Sequence, residues 1–191
     1  MIRTKQDLKA YLLADAKANG RSSTKASFFG DEIWKFIVAL RRAEFYTNRT
    51  GFSKKLTLPC RIFYKFKLHH LGLKLGYSIP INVVGKGFAP VHYGTIVIAA
   101  GATVGENCRI HEGVTIGAPN GSAKAATIGN NVFLASGAKI IGEVTIANDV
   151  AIAANAVVTK SITEAGTTWG RCSCEKNQRQ RLPQQFEQAP F

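Results

Sequence analysis

The stretch TIGNNVFLASGAKIIGEVTIANDVAIAANAVV, residues 127–158, places Ile128, Leu134, Ile140, Ile146, Ile152 and Val158 at a strict spacing of six. An upstream series, Ile98, Val104, Ile110 and Ile116, keeps the same spacing before a break. An amphipathic helix repeats its apolar residues about every 3.6 positions and a half-buried strand about every 2, so neither element accounts for the pattern. One inward aliphatic per six-residue side describes a parallel β-helix of triangular cross-section, with turns of about 18 residues. Coils stacked about 4.8 Å apart then bring successive inward residues into one apolar column. Gly105, Gly117, Gly129 and Gly142 stand where a Cβ would crowd the backbone. Asn107, Asn130, Asn131 and Asn148 tolerate the left-handed conformation of tight corners.

The stretches IVIAAGATVGENCRIHEGVTIG (96–117) and 127–158 resemble the left-handed β-helix of hexapeptide-repeat acyltransferases. VHYGTIVI (91–98) with GAKIIG (137–142) resembles the serine acetyltransferase branch. The resemblance covers about residues 78–170, a little under half of the chain. It implies an O-acetyltransferase that uses acetyl-CoA as co-substrate and assembles as a homotrimer, with the cofactor in a groove between two subunits' coils. It also implies His92 as catalytic base and a pantetheine position near ASGAKIIG (135–142). Ser136, Gly137, Ala138 and Lys139 are therefore the cofactor-binding candidates, with Lys139 and Lys160 for the phosphates.

Counting back by sixes from Ile98 reaches His92, yet Val84 and Pro90 fit the preceding inward positions, so two residues are inserted around the histidine. A buried imidazole needs a partner, which leaves a satisfied corner histidine or a catalytic one in a groove. The chemical case for a base is direct. An alcohol ionises too weakly at neutral pH to attack a thioester, whereas a neutral imidazole of ordinary pKa about 6.5 takes its proton as the bond forms. The imidazolium then protonates the departing thiolate, and backbone amides of the groove are expected to hold the oxyanion.

Serine acetyltransferases orient this histidine with an acidic residue that aligns near Ser78 in GYSIPIN (76–82), where no carboxylate stands. Orientation falls to Ser78, to backbone, or to Glu112 in a neighbouring coil. Their Arg-His pair for the serine carboxylate falls in APNGSAKAATIG (118–129), where Lys124 is followed by alanines. The expected acceptor is therefore a hydroxyl of a sugar or surface-polysaccharide precursor. L-serine, and with it cysteine biosynthesis, is the alternative; a non-catalytic trimeric scaffold is an alternative of another class. His111, 19 residues after His92, either assists acceptor binding or is an exposed strand residue.

Residues 1–77 hold 16 Lys and Arg against 5 Asp and Glu, +11 of the chain's +13. Such a unit suits nucleic acid, an anionic membrane surface or acidic partners, or is simply a solvated face. No nucleic-acid recognition motif accompanies the charge, so that partner is set aside. Three helices are expected in this region. TKQDLKAYLLADAKA (4–18) opens at a Thr4 cap, and DEIWKFIVALRRAEFYT (31–47) aligns Ile33, Phe36, Ile37, Leu40 and Phe45. CRIFYKFKLHHLGLKLG (60–76) offers an apolar, basic face to a membrane surface or a neighbouring subunit.

No stretch approaches the roughly 18 apolar residues of a membrane span, and the charged N-terminus lacks a signal core, so a cytoplasmic protein is expected. Cys60, Cys108, Cys172 and Cys174 read as reduced thiols, and no metal centre is expected, at His69 and His70 or elsewhere. The organisation is a helical region 1–77, a β-helix 78–170 and an off-pattern tail 171–191. In that tail the resemblance would have a Gly-x-Pro-Ala-[KR] element close over the cofactor, but the chain reads RCSCEKNQRQRLPQQFEQAPF. Back-translated as AGG TGT TCC TGC GAA AAA AAT CAG and shifted by one base, Arg171 to Gln178 reads Gly-Val-Pro-Ala-Lys-Lys-Ile. A single-base frameshift is the expected origin of the tail, and resequencing tests it.

Overall fold

The computed structural model describes residues 1–119, 122–170 and 175–176. Four helices lead the chain: α1 (Lys5–Ala18), α2 (Glu32–Thr47), α3 (Gly51–Leu56) and α4 (Leu58–Leu75). The Thr4 hydroxyl accepts from the Asp7 amide while the Asp7 carboxylate accepts from the Thr4 amide, a capping box that starts α1. α2 buries the expected Phe36, Ile37, Leu40 and Phe45 and adds Trp34. α4 stops at Gly76, whose φ of 78° is left-handed. Only α3, too short to display a period, was not foreseen.

The strands are β1 (Tyr77–Ser78), β2 (Ala89–Pro90), β3 (Ile96–Ile98), β4 (Thr103–Val104), β5 (Arg109–Ile110), β6 (Thr115–Gly117), β7 (Thr127–Ile128), β8 (Phe133–Leu134), β9 (Lys139–Ile141), β10 (Thr145–Ile146), β11 (Ala151–Ile152), β12 (Val157–Val158), β13 (Thr168–Gly170) and β14 (Glu175–Lys176). They stack into three parallel sheets, β1-β3-β6-β9-β12, β4-β7-β10 and β2-β5-β8-β11-β13, with β14 antiparallel at the end of the third. This is the left-handed β-helix, and all ten repeat aliphatics are buried in it.

The register shows where the period slips. Ile128 pairs with Ile146, 18 residues on, whereas Val104 pairs with Ile128, 24 residues on, because the loop after β6 adds six residues to that turn. Pro90 pairs with Ile110, 20 residues on, which confirms the two extra residues around His92.

The corners correct one expectation. Asn107 and Asn131 are left-handed, with φ of 56° and 55°, and so are Asp149 and Asn155, but Asn130 and Asn148 are not. Their amide oxygens instead accept from the main-chain amides of Glu106 and Asn130, a ladder that ties coil to coil. Such a side-chain bond to a stacked coil needs ordinary backbone and competes with the left-handed turn role. Gly105 is needed for space rather than φ: a Cβ there would lie 2.5 Å from the Gly129 carbonyl oxygen.

One apolar cluster runs from Phe36, Leu40, Leu71 and Leu75 through the coils to Val158 and Ile162. Charged groups seal the open edge of the first coil. Buried Arg41 bonds the Asp15 and Glu44 carboxylates and the carbonyls of Val84 and Gly85. Asp15 accepts from the amides of Gly87 and Phe88, and Glu44 from that of Asn82. Edge backbone that would otherwise lack partners is thereby satisfied.

Cys108 is buried, and burial pushes its thiol up to about 12, as an inert packing residue requires. Cys172, Cys174 and the Gly-x-Pro-Ala expectation lie outside the described residues. Among the described residues, no helix is long and apolar enough to cross a membrane.

Candidate active site

The corner between β2 and β3 carries the surplus residues. Its flanking inward residues, Pro90 and Ile98, are eight apart, against six for Ile110 and Ile116 in the next coil. The extra length pushes His92 and Tyr93 out to solvent. Two bonds pin this wide turn: the Tyr77 hydroxyl donates to the His92 carbonyl at 2.6 Å, and the Gly94 amide to the Leu75 carbonyl at 3.1 Å. Gly94, at φ 130°, lies so close to the next coil that a Cβ would stand 2.9 Å from Cβ of Glu112.

One coil on, the His111 ring lies 5.6 Å from the His92 ring, centroid to centroid, and 5.2 Å from that of Phe133. Its Nδ1 is 3.9 Å from Oε2 of Glu112. A hydrogen bond from Ser136, one coil further, holds the Glu112 carboxyl below the usual carboxylate range, with the nearby imidazoles adding to the effect. Burial, and then the Arg109 guanidinium, hold His111 below its ordinary value, partly offset by Glu112. Near neutral pH the corner thus presents a neutral His111 and an ionised Glu112. Oε2 of Glu112 is buried without a hydrogen-bond partner, so it is placed to receive positive charge that develops on an imidazole.

His92, His111 and Glu112 each offer a donor atom, all within 4.8 Å of one another. A transition-metal ion could use such a set, and the same groups without a metal make a base, its neighbour and a counter-charge.

The anticipated residues divide. His92, His111, Glu112, Ser136 and Gly137 share one edge of the prism, the Gly137 amide donating to the Glu112 carbonyl. Lys139 turns its amine onto the Gly113 carbonyl and, at 3.2 Å, the Thr115 hydroxyl. Ala138 is buried in the core, with its amide on Ala135 and its carbonyl on Thr115. Lys160 lies exposed beyond β12, at the corner between the first and second sheets and away from His92. Ser78 is exposed in the outward column Ser78, Val97, Thr115, Lys139. Among the described residues none hydrogen-bonds its hydroxyl, so the contacts at this corner come from Tyr77 and Glu112. Lys124 ion-pairs with Glu143 at 3.0 Å on an exposed loop.

Sequence reasoning missed Tyr77, Arg109 and Phe133. Arg109 and Phe133 precede Ile110 and Leu134 and pair in register, so the repeat itself marks them as outward neighbours of His111. No sequence signal joined Tyr77 to His92.

A family model for bacterial transferase hexapeptide repeats (six repeats) matches residues 125–160. A serine acetyltransferase of Staphylococcus epidermidis is 28% identical over 172 residues, 88% of this chain and 75% of that one. Two solved structures share the fold. Serine acetyltransferase isoform 3 of Entamoeba histolytica, in complex with cysteine, superposes with a TM-score of 0.62 at 22% identity, over 82% of this chain and 56% of that one. The serine acetyltransferase of Brucella abortus, in complex with coenzyme A, gives a TM-score of 0.62 at 21% identity, over 90% of this chain and 68% of that one. This chain therefore spans little more than half the length of the Entamoeba protein. Repeat, coils and relatives make this chain similar to the hexapeptide-repeat acyltransferases. The relatives it matches in both comparisons are serine acetyltransferases.

Proposed function

We propose that this protein transfers the acetyl group of acetyl-CoA to an acceptor hydroxyl with His92 as general base. The observation that carries the reading is the convergence of His92, His111 and Glu112 on one exposed corner. His92 removes the hydroxyl proton as the oxygen attacks the thioester carbonyl, Glu112 offsets the charge formed on the imidazole cluster, and the imidazolium returns the proton to the thiolate of coenzyme A. The Brucella relative, solved with coenzyme A, supports that co-substrate. Ser136, Gly137, Lys139 and Lys160 are proposed along its path in a homotrimer, in the cytoplasm.

Of the two acceptors, L-serine is the better supported, because the relatives matched over most of the chain are named serine acetyltransferases. Arg109, beside His111, is then the group proposed to hold the serine carboxylate. A sugar hydroxyl is the second reading, favoured by the pairing of Lys124 with Glu143 in the loop expected to hold a carboxylate.

The test is thiol release from acetyl-CoA by the purified chain with L-serine and with a panel of sugars and nucleotide sugars, alongside His92→Ala. Turnover with serine supports the first acceptor, turnover with a sugar alone the second. A His92→Ala protein that keeps full activity overturns the mechanism.

A further inference from the structure

Helix α4 is apolar on two faces. Leu71 and Leu75 are buried in the core, while Ile62, Phe63, Phe66 and Leu73 are 59%, 56%, 69% and 71% exposed on the opposite side. Ile62, Phe66 and Leu73 fall on one stripe at helical spacing, with exposed His69 and His70 between Phe66 and Leu73 and the His70 ring stacked on Phe66.

The charge around this patch is of one sign. Lys54, Lys55, Arg61, Lys65, Lys67 and Lys74 lie on α3 and α4, and the chain has no Asp or Glu between Glu44 and Glu106. Lys74 is paired, with Glu32 of α2 at 3.0 Å; the others have no ion-pair partner among the described residues. The same face on a second copy would set these cations against their own kind, which opposes a two-fold contact through α4. An anionic sheet with an apolar interior satisfies both features at once.

We propose that the outer face of α4 docks this protein onto an anionic lipid membrane, with Ile62, Phe63, Phe66 and Leu73 at the acyl boundary and the lysines at the phosphate level. The helix lies in the plane of the surface and does not span it. The Gly94 amide bonds the Leu75 carbonyl, so the corner bearing His92 adjoins the end of the docking helix. A bound membrane therefore lies beside the active corner. The docking itself does not depend on which acceptor is acetylated.

The experiment is flotation of the full chain with vesicles of phosphatidylcholine containing phosphatidylglycerol and with vesicles of phosphatidylcholine alone, at low and high salt. The expected result is binding to the anionic vesicles, reversed by salt. Phe63→Glu/Phe66→Glu and Lys65→Glu/Lys67→Glu each lose at least about tenfold in partitioning, with thermal unfolding and soluble thiol-release activity unchanged. Absence of binding to anionic vesicles, equal binding to neutral ones, or retention by both double variants overturns the proposal. So does a change of oligomeric state in the Phe63→Glu/Phe66→Glu protein by sedimentation, which would assign the face to a second copy.

Discussion

Tyr77, in the first strand of the β-helix, donates its hydroxyl to the main-chain carbonyl of His92 at 2.6 Å, fastening the widened corner to the coil beneath it. Burial pushes the Tyr77 phenol well above its usual range, so it stays a donor across the working pH. The bond acts on backbone and leaves the imidazole free to turn toward a substrate.

Replacing Tyr77 by Phe keeps the ring, which sits edge-on to Phe36 at 5.2 Å, and removes only the donor. We expect a stability loss of about 1 kcal/mol in denaturant unfolding. kcat should fall with little change in KM for acetyl-CoA, as a positioning role requires. An unchanged kcat would place the orientation of His92 elsewhere.

His92→Ala is expected to lower the acetyl-transfer rate by about 10²- to 10⁴-fold, the usual contribution of a general base. Its side chain is exposed, so the thermal unfolding curve should match that of the parent protein.

Glu112→Gln tests the counter-charge. The carboxylate favours the charged form of His111, so its removal disfavours an imidazolium at this corner. The His111 titration, followed by NMR, should therefore move to lower pH, and the transfer rate should fall. A titration that moves to higher pH would contradict the assignment.

Arg41→Met leaves Asp15 and Glu44 buried without their cation. Breaking a buried ion pair from one side costs about 3–5 kcal/mol, to be read from the unfolding midpoint. Adding Asp15→Asn and Glu44→Gln should recover part of the loss. Recovery should be incomplete, because those carboxylates also accept from the amides of Gly87, Phe88 and Asn82.

Much of the fold was legible because a β-helix writes its core into a local period: each of the ten aliphatics spaced by six is buried, and the displaced count at His92 marks a real insertion. The helices were legible from caps and stripes, except α3. Less legible was the division of labour among the asparagines, where Asn107 and Asn131 bend the chain while Asn130 and Asn148 bridge coils. Composition alone does not separate these roles, since both use the same short amide. The buried Arg41 group was also invisible, because its partners come from Asp15, Glu44 and the first coil.

By itself, then, the sequence determined the inward face of the coils from Val84 to Val158 and the position of the interrupting histidine, since burial of one aliphatic per six residues is a property repeated along the chain. Only the tertiary structure decided what His92 meets. Stacking sets residues 16 to 24 apart side by side, and the exact offset depends on how many residues each corner and loop takes up. That is why Tyr77, His111 and Glu112 gather at His92 while Lys160 lies on another edge: a shared corner depends on the accumulated register of several turns, which no short stretch contains.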